Sequence, residues 1–359
     1  MEYKNRRDMG KPTINFLRIW IFLIPFQVFS QNIGRVGLEG SRGFVIAHSS
    51  DLIPVSQTNP YGLKGSYQVL KTDQKNWEAC NCFHYLGIGF SYHNFDSPDI
   101  LGAAFSLSGS FEPILWQHKK WVLGLESGMG VSYLTRFYDS ETNPSNTFFS
   151  APISFLMFVA PHLEYSLTPE WTLQLALNYN HISNGGQKKP NKGMNYPMLS
   201  FGIYHYLNSV ELPNHSKQPL ERELVFFGEI SYTNKNSEWA EKRKPSLALT
   251  GGAYKSITGI NALGLGVELN RDFSFDGEDG ISNDLMPAPF ISHHFLFGRV
   301  DFSQRMSLYA HKPNGYNDYL FYQRYILQYQ VWENLGLGIG LKAHGHVAEN
   351  IEFRLGWKF

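Results

Sequence analysis

Strict alternation of large apolar residues with glycine or polar residues recurs along the chain. Leu263, Leu265, Val267 and Leu269 alternate with Gly264, Gly266, Glu268 and Asn270. Leu335, Leu337, Ile339 and Leu341 alternate with Gly336, Gly338, Gly340 and Lys342. At the C-terminus Ile351, Phe353, Leu355, Trp357 and Phe359 share one face, and Glu352, Arg354, Gly356 and Lys358 the other. Successive side chains of a strand point to opposite faces, so each segment reads as a strand with one apolar and one polar side. A soluble sandwich alternates as well. Length separates the two: many segments run about 9–13 residues, which suits a tilted membrane strand better than a soluble strand of about 5–6. Aromatic residues also cluster near strand ends, as in interfacial girdles. In lipid only a closed barrel lets strands satisfy every backbone group.

Composition agrees with strands whose outer faces are not in water. Charged residues make up 17%, aromatics 15%, and there are 33 glycines. The formal net charge of +0 gives no general attraction to nucleic acid. At the N-terminus Lys4, Arg6, Arg7, Lys11 and Arg18 precede an apolar run, Ile19–Phe29, too short to span a bilayer as a helix. Residues 1–31 therefore read as a signal peptide cut near Ser30 or Gln31, with no lipobox cysteine after it. Short connections such as Leu167–Pro169 and Trp332–Asn334 alternate with long polar ones such as Tyr138–Thr147 and Asn184–Met194, the asymmetry of an outer-membrane barrel. The expected architecture is all-β: one transmembrane antiparallel barrel over 32–359, with about 12–16 strands and sixteen favoured. The connection Val210–Arg222 divides it into halves, 32–208 and 223–359. Glu126, Glu268, Glu352 and Arg354 are expected to pair in the lumen, and Lys342, His344 and His346 to line it. Cys80 and Cys82, two residues apart, are poorly placed for an easy bridge, and their spacing leaves both a disulfide and a free pair open. Asp276, Glu278, Asp279 and Asp284 lack calcium-loop spacing and read as a solvated loop. No metal or cofactor is called for, and the oligomeric state is left open.

One strand breaks the rule that the outer face is inert. Leu173, Leu175, Leu177, Tyr179, His181 and Ser183 share the apolar face of a single strand. Counting back from a periplasmic C-terminus, that strand runs outward and its last two residues lie at the outer interface. A polar group in hydrocarbon costs about 1–3 kcal/mol unless hydrogen-bonded, so the pair belongs at headgroup height. The return strand carries Asn195 on its own apolar face, across from His181 or Ser183 and within reach of a hydrogen-bond chain. Nucleophile Ser183, base His181 and orienting Asn195 form a set suited to acyl transfer. Asn184 and the backbone N–H groups of Gly185 and Gly186 are candidates for an oxyanion hole. Asp139 or Glu141 is an alternative orienting group.

The run His181-Ile182-Ser183-Asn184-Gly185 at the end of an outward strand resembles the lipid A 3-O-deacylase (acyloxyacyl hydrolase-like) barrels. The similarity extends to Tyr138-Asp139, Asn143-Pro144 and Pro190-Asn191-Lys192-Gly193. The final Phe359 likewise resembles the C-terminal signature of bacterial outer-membrane barrels. The resemblance implies an esterase acting on lipopolysaccharide in a Gram-negative-type outer membrane. In that family the third catalytic position is usually glutamate; here it is Asn195, which resembles instead the Ser–His–Asn set of outer-membrane phospholipase A. That enzyme needs calcium and an acid in the loop after its serine. Residues 184–194 contain no Asp or Glu but carry Lys188, Lys189 and Lys192, suited to lipid A phosphates. Deacylation of lipid A is the first expectation, a phospholipase the second, and a passive pore or structural barrel the third.

Overall fold

The computed structural model describes residues 32–359 apart from 79, 187, 209–211, 214, 216–222, 237–242, 276–284 and 346. The expected signal peptide, His346 and the acidic residues between 276 and 284 lie outside the described residues. Sixteen strands follow one another: β1 (Asn32–Gly43), β2 (Tyr61–Lys71), β3 (His84–Asn94), β4 (Ala103–His118), β5 (Trp121–Leu134), β6 (Ile153–Ser166), β7 (Trp171–Ser183) and β8 (Met194–Tyr206). The series continues with β9 (Leu224–Asn236), β10 (Arg243–Ser256), β11 (Asn261–Asp272), β12 (Met286–Phe297), β13 (Val300–Leu308), β14 (Phe321–Gln330), β15 (Leu335–His344) and β16 (Val347–Lys358).

Their number is the one favoured from the sequence, but they do not close into one barrel. β8 returns to pair antiparallel with β1, placing Ile203 opposite Leu38, and β16 returns to β9, placing Leu355 opposite Ile230. The result is two closed eight-stranded barrels, β1–β8 and β9–β16. The single-barrel expectation is thus corrected: one ring ends with β8 and the other begins with β9.

An eight-stranded barrel has an interior just wide enough for side chains to fill. Both lumens are filled by large polar groups. In the first, the fully buried Arg35 guanidinium donates to Gln68 Oε1 at 2.7 Å, Glu112 Oε1 at 2.6 Å and Glu164 Oε1 at 2.8 Å. Lys64 bridges Glu126 at 2.6 Å and Glu39 at 3.2 Å. In the second, Glu229 is shared by Arg305 and Arg354, Glu268 holds Arg324 at 2.8 Å, and Glu352 joins both Arg324 and Arg354. The charge pairs expected at Glu126, Glu268, Glu352 and Arg354 are therefore present, and Lys342 and His344 are also buried. Removing one partner from such a pair would leave a buried charge uncompensated, at a cost of about 3–5 kcal/mol. Because these plugs cross both lumens, the protein added to a planar bilayer should produce no steady channel. A reproducible ohmic conductance would contradict the filled interior and revive the pore reading.

The outer faces are apolar. Leu177, Phe201, Leu265, Ile291 and Phe353 are 63%, 58%, 68%, 68% and 71% exposed. At the outer end of the first barrel, loop residues fold over the lumen. Phe148 and Phe149 pack with Phe95, Leu101, Leu134, Ile182, Met194 and Tyr196. Burying each such side chain contributes about 1.5–3 kcal/mol, which fixes the loop ends against β7 and β8. Cys80 and Cys82, between β2 and β3, form a disulfide. The left-handed Asn81 between them, at φ 50°, brings their Cα atoms to 5.1 Å, within bridging range despite the short spacing.

Candidate active site

The outward face of β7 carries Leu175, Leu177 and Tyr179, all exposed, while Thr172, Gln174, Ala176 and Asn180 are buried in the lumen. By parity His181 and Ser183 continue the outward row, but the exposure ends there: His181 is half-buried and Ser183 is buried. The register of the hairpin places Asn195 of β8 directly across from His181. The imidazole lies between the other two groups: Nδ1 is 2.7 Å from Asn195 Oδ1, and Nε2 is 3.1 Å from Ser183 Oγ. An amide oxygen only accepts, so Nδ1 carries the proton and Nε2 is left to accept from the serine hydroxyl. The backbone of Asn195 is also held, since its carbonyl accepts from Ile46 N–H at 2.9 Å.

Asp139 does not take the orienting place. Its Oδ1 accepts from the backbone of Glu141 and Thr142 and from the Thr142 hydroxyl, at 2.9–3.1 Å. The Thr142 backbone and hydroxyl bonds, and the Glu141 bond after them, hold its carboxyl below the usual range. That acid closes its own turn in the β5–β6 connection. Glu141 is exposed in the same turn.

The loop after Ser183 is held by hydrogen bonds within itself and to a second loop. The Asn184 side-chain amide donates to Ser150 Oγ at 2.8 Å and to Lys188 O at 2.9 Å, and its backbone N–H donates to Asn191 Oδ1 at 3.1 Å. These donors are spent inside the protein, so Asn184 pins the loop rather than facing a substrate oxygen. Gly185 N–H points at Ser183 Oγ, 3.4 Å away, and remains suited to an anion beside that oxygen. Gly186 follows it in the same turn, which keeps both backbone positions as candidates. Of the three lysines, Lys188 and Lys189 are exposed. Lys192 is tied to Asp51 and reaches Ser49 at 3.3 Å. The Lys192 and Ser49 hydrogen bonds lower the Asp51 carboxyl below its ordinary range.

Sequence reasoning did not single out Gly193. Its φ is +69°, and a Cβ there would lie 2.8 Å from His181 Cε1 and 3.1 Å from Ser183 Cβ. Its sequence signals were its place at the end of the Pro190–Gly193 stretch that resembles the deacylases and its position immediately before β8. Ser150 was missed as well, because it comes from a distant connection.

Fold and site together define a class: an outer-membrane β-barrel with a serine, an imidazole and an amide in hydrogen-bonded series on its outward-facing rim. Residues 61–204 match the profile of the lipid A 3-O-deacylase family (PagL), and residues 221–359 match the acyloxyacyl hydrolase C-terminal domain. Each match covers under half of the chain; over those two stretches the chain is similar to the lipid A 3-O-deacylase (acyloxyacyl hydrolase) models, and its barrels are of the outer-membrane kind. The two matches fall on the first and second barrels respectively. No curated protein matches the sequence. Among solved structures, the outer-membrane enzyme PagL aligns at 16% identity over 46% of this chain and 97% of its own, with a TM-score of 0.32. Neisserial surface protein A aligns at 10% identity over 48% of this chain and 96% of its own, also at 0.32. A mutant of the Rh. blastica porin aligns at 11% identity over 91% of this chain and 99% of its own, at 0.20.

Proposed function

We propose that this protein is a serine esterase that removes an ester-linked acyl chain from lipid A at the outer-leaflet interface. The observation that carries the reading is His181, held between Asn195 Oδ1 and Ser183 Oγ on the face that continues the lipid-exposed row of β7. A lipid ester reaches such a site without leaving the membrane. Ser183 Oγ attacks the acyl carbonyl while His181 Nε2 takes its proton. Asn195 accepts from Nδ1–H throughout and keeps Nε2 free to act as base. Gly185 N–H, with Gly186 beside it, stabilises the developing oxyanion. His181 returns the proton to the departing sugar hydroxyl, and the acyl-enzyme is then released by water activated at the same imidazole. Lys188 and Lys189, exposed in the adjoining loop, receive the phosphates of lipid A, and Lys192 holds that loop to Asp51.

Asn195 supports a second reading, a calcium-dependent phospholipase A. The donor set weighs against it. The 184–194 loop offers no carboxylate, and the acid that reaches it, Asp51, is paired with Lys192. Expression in a Gram-negative host should shift its lipid A mass by the loss of one acyl chain, and the purified protein should do the same with EDTA present. Unchanged lipid A spectra would refute the reading. Calcium-dependent fatty-acid release from phosphatidylethanolamine would replace it with the second.

A further inference from the structure

The second barrel reaches the loop that follows Ser183. Gly185 and Gly186 sit at φ +63° and +77°. A Cβ on Gly185 would fall inside the Ile351 side chain, 3.4 Å from the Ile351 Cβ; one on Gly186 would strike the backbone carbonyl of Glu349. On β16, Phe353, Leu355 and Trp357 stand 71%, 44% and 46% exposed on the outward face, whereas Ile351, in the same row, is only half-exposed. The missing exposure is where the glycine turn rests. Two further contacts join the barrels: the Phe111 ring lies 4.4 Å from that of Phe297, and a Cβ at Gly259 would come within 3.0 Å of Asn81 Nδ2.

We propose that the rim of the second barrel is a working part of the first barrel's active site. Ile351 and the Ala348–Glu349 backbone act as the surface that positions Gly185 N–H on Ser183 Oγ. Consecutive glycines have wide conformational freedom, and an amide stabilises an oxyanion only when it is already aimed. An apolar side chain on one glycine and a backbone carbonyl on the next remove that freedom. Ile351 is a positioning residue that does not touch the reacting atoms. This inference rests on the esterase reading for its consequence, but not for the contact itself.

The contact is tested without substrate. In the full chain, Gly185→Cys with Ile351→Cys should cross-link on mild oxidation, because the Cβ separation is close to the roughly 3.5–4.5 Å of bridged pairs. Peptide mass spectrometry reads the bridge, and failure to form it overturns the proposal. The consequence is tested by rate. Ile351→Ala, which removes the resting surface and leaves both glycines in place, should lower kcat for lipid A about 10-fold with KM unchanged, and Ile351→Leu should keep most of the activity. Undiminished kcat in Ile351→Ala overturns the positioning role. If the unaltered protein leaves lipid A intact, the esterase reading fails, and the same three chains are compared by the rate at which a fluorophosphonate labels Ser183. Slower labelling in Ile351→Ala than in the other two supports the positioning role, and equal labelling overturns it.

Discussion

Replacing Ser183 by alanine should abolish lipid A deacylation, by at least about 10³-fold, while leaving both barrels folded. The size follows from the role proposed for the serine as nucleophile: without Oγ no acyl-enzyme would form, and groups that act as a unit fail together. A thousandfold loss corresponds to about 4 kcal/mol of transition-state stabilisation. The structural cost is far smaller. The hydroxyl's partners are His181 Nε2 and Gly185 N–H, so the substitution removes two hydrogen bonds at the rim, about 1 kcal/mol each. Neither lumen plug is touched. His181→Ala should give a loss of similar order, and the double variant little more than either alone, because base and nucleophile share one step. Lipid A mass spectra, read beside heat-modifiable electrophoretic mobility as the measure of folding, check both points. Retained deacylation in folded Ser183→Ala would remove the serine from the chemistry.

The strand faces were legible because parity is local. Counting residues from Leu173 to Ser183 is enough to put His181 on the outward side, and the exposure of Leu175, Leu177 and Tyr179 follows the same count. Asn195 was legible only as a neighbour of that pair, and the hairpin register fixed it opposite His181. Closure was not legible in the same way. Alternation separates outside from inside but does not say how many strands complete a ring, so sixteen strands are equally compatible with one wide barrel or two narrow ones. What distinguishes them is the size of the inward groups. Arg35, Tyr196 and Tyr204 in the first barrel, and Arg324 and Tyr322 in the second, are fully buried and need a narrow interior to find their partners. The role of Asn184 was hidden for a related reason. Its amide partner Ser150 lies 34 residues away, and only the folded loops bring them within 2.8 Å.

Gly193 is where a single added methyl group is expected to have a large effect. Gly193→Ala should cost about 10²-fold in deacylation with the fold retained, because misplacing a reacting group by about 1 Å can cost that much. Two causes contribute and can be separated. A left-handed backbone, φ +69° here, costs a β-carbon residue about 1–2 kcal/mol. Independently, the new Cβ would meet His181 Cε1 at 2.8 Å and Nε2 at 3.3 Å, pushing the imidazole out of line with the serine. Asparagine tolerates the left-handed region better than alanine but brings the same Cβ. If close approach to the imidazole is the reason for glycine, Gly193→Asn should lose activity as fully as Gly193→Ala. If backbone conformation alone were the reason, asparagine would keep most of it. The rate of lipid A deacylation in the two variants, measured on protein that has folded into membranes, decides between these causes. A Gly193→Ala protein with undiminished activity would show that the imidazole has room to move and that close approach is not why glycine stands there.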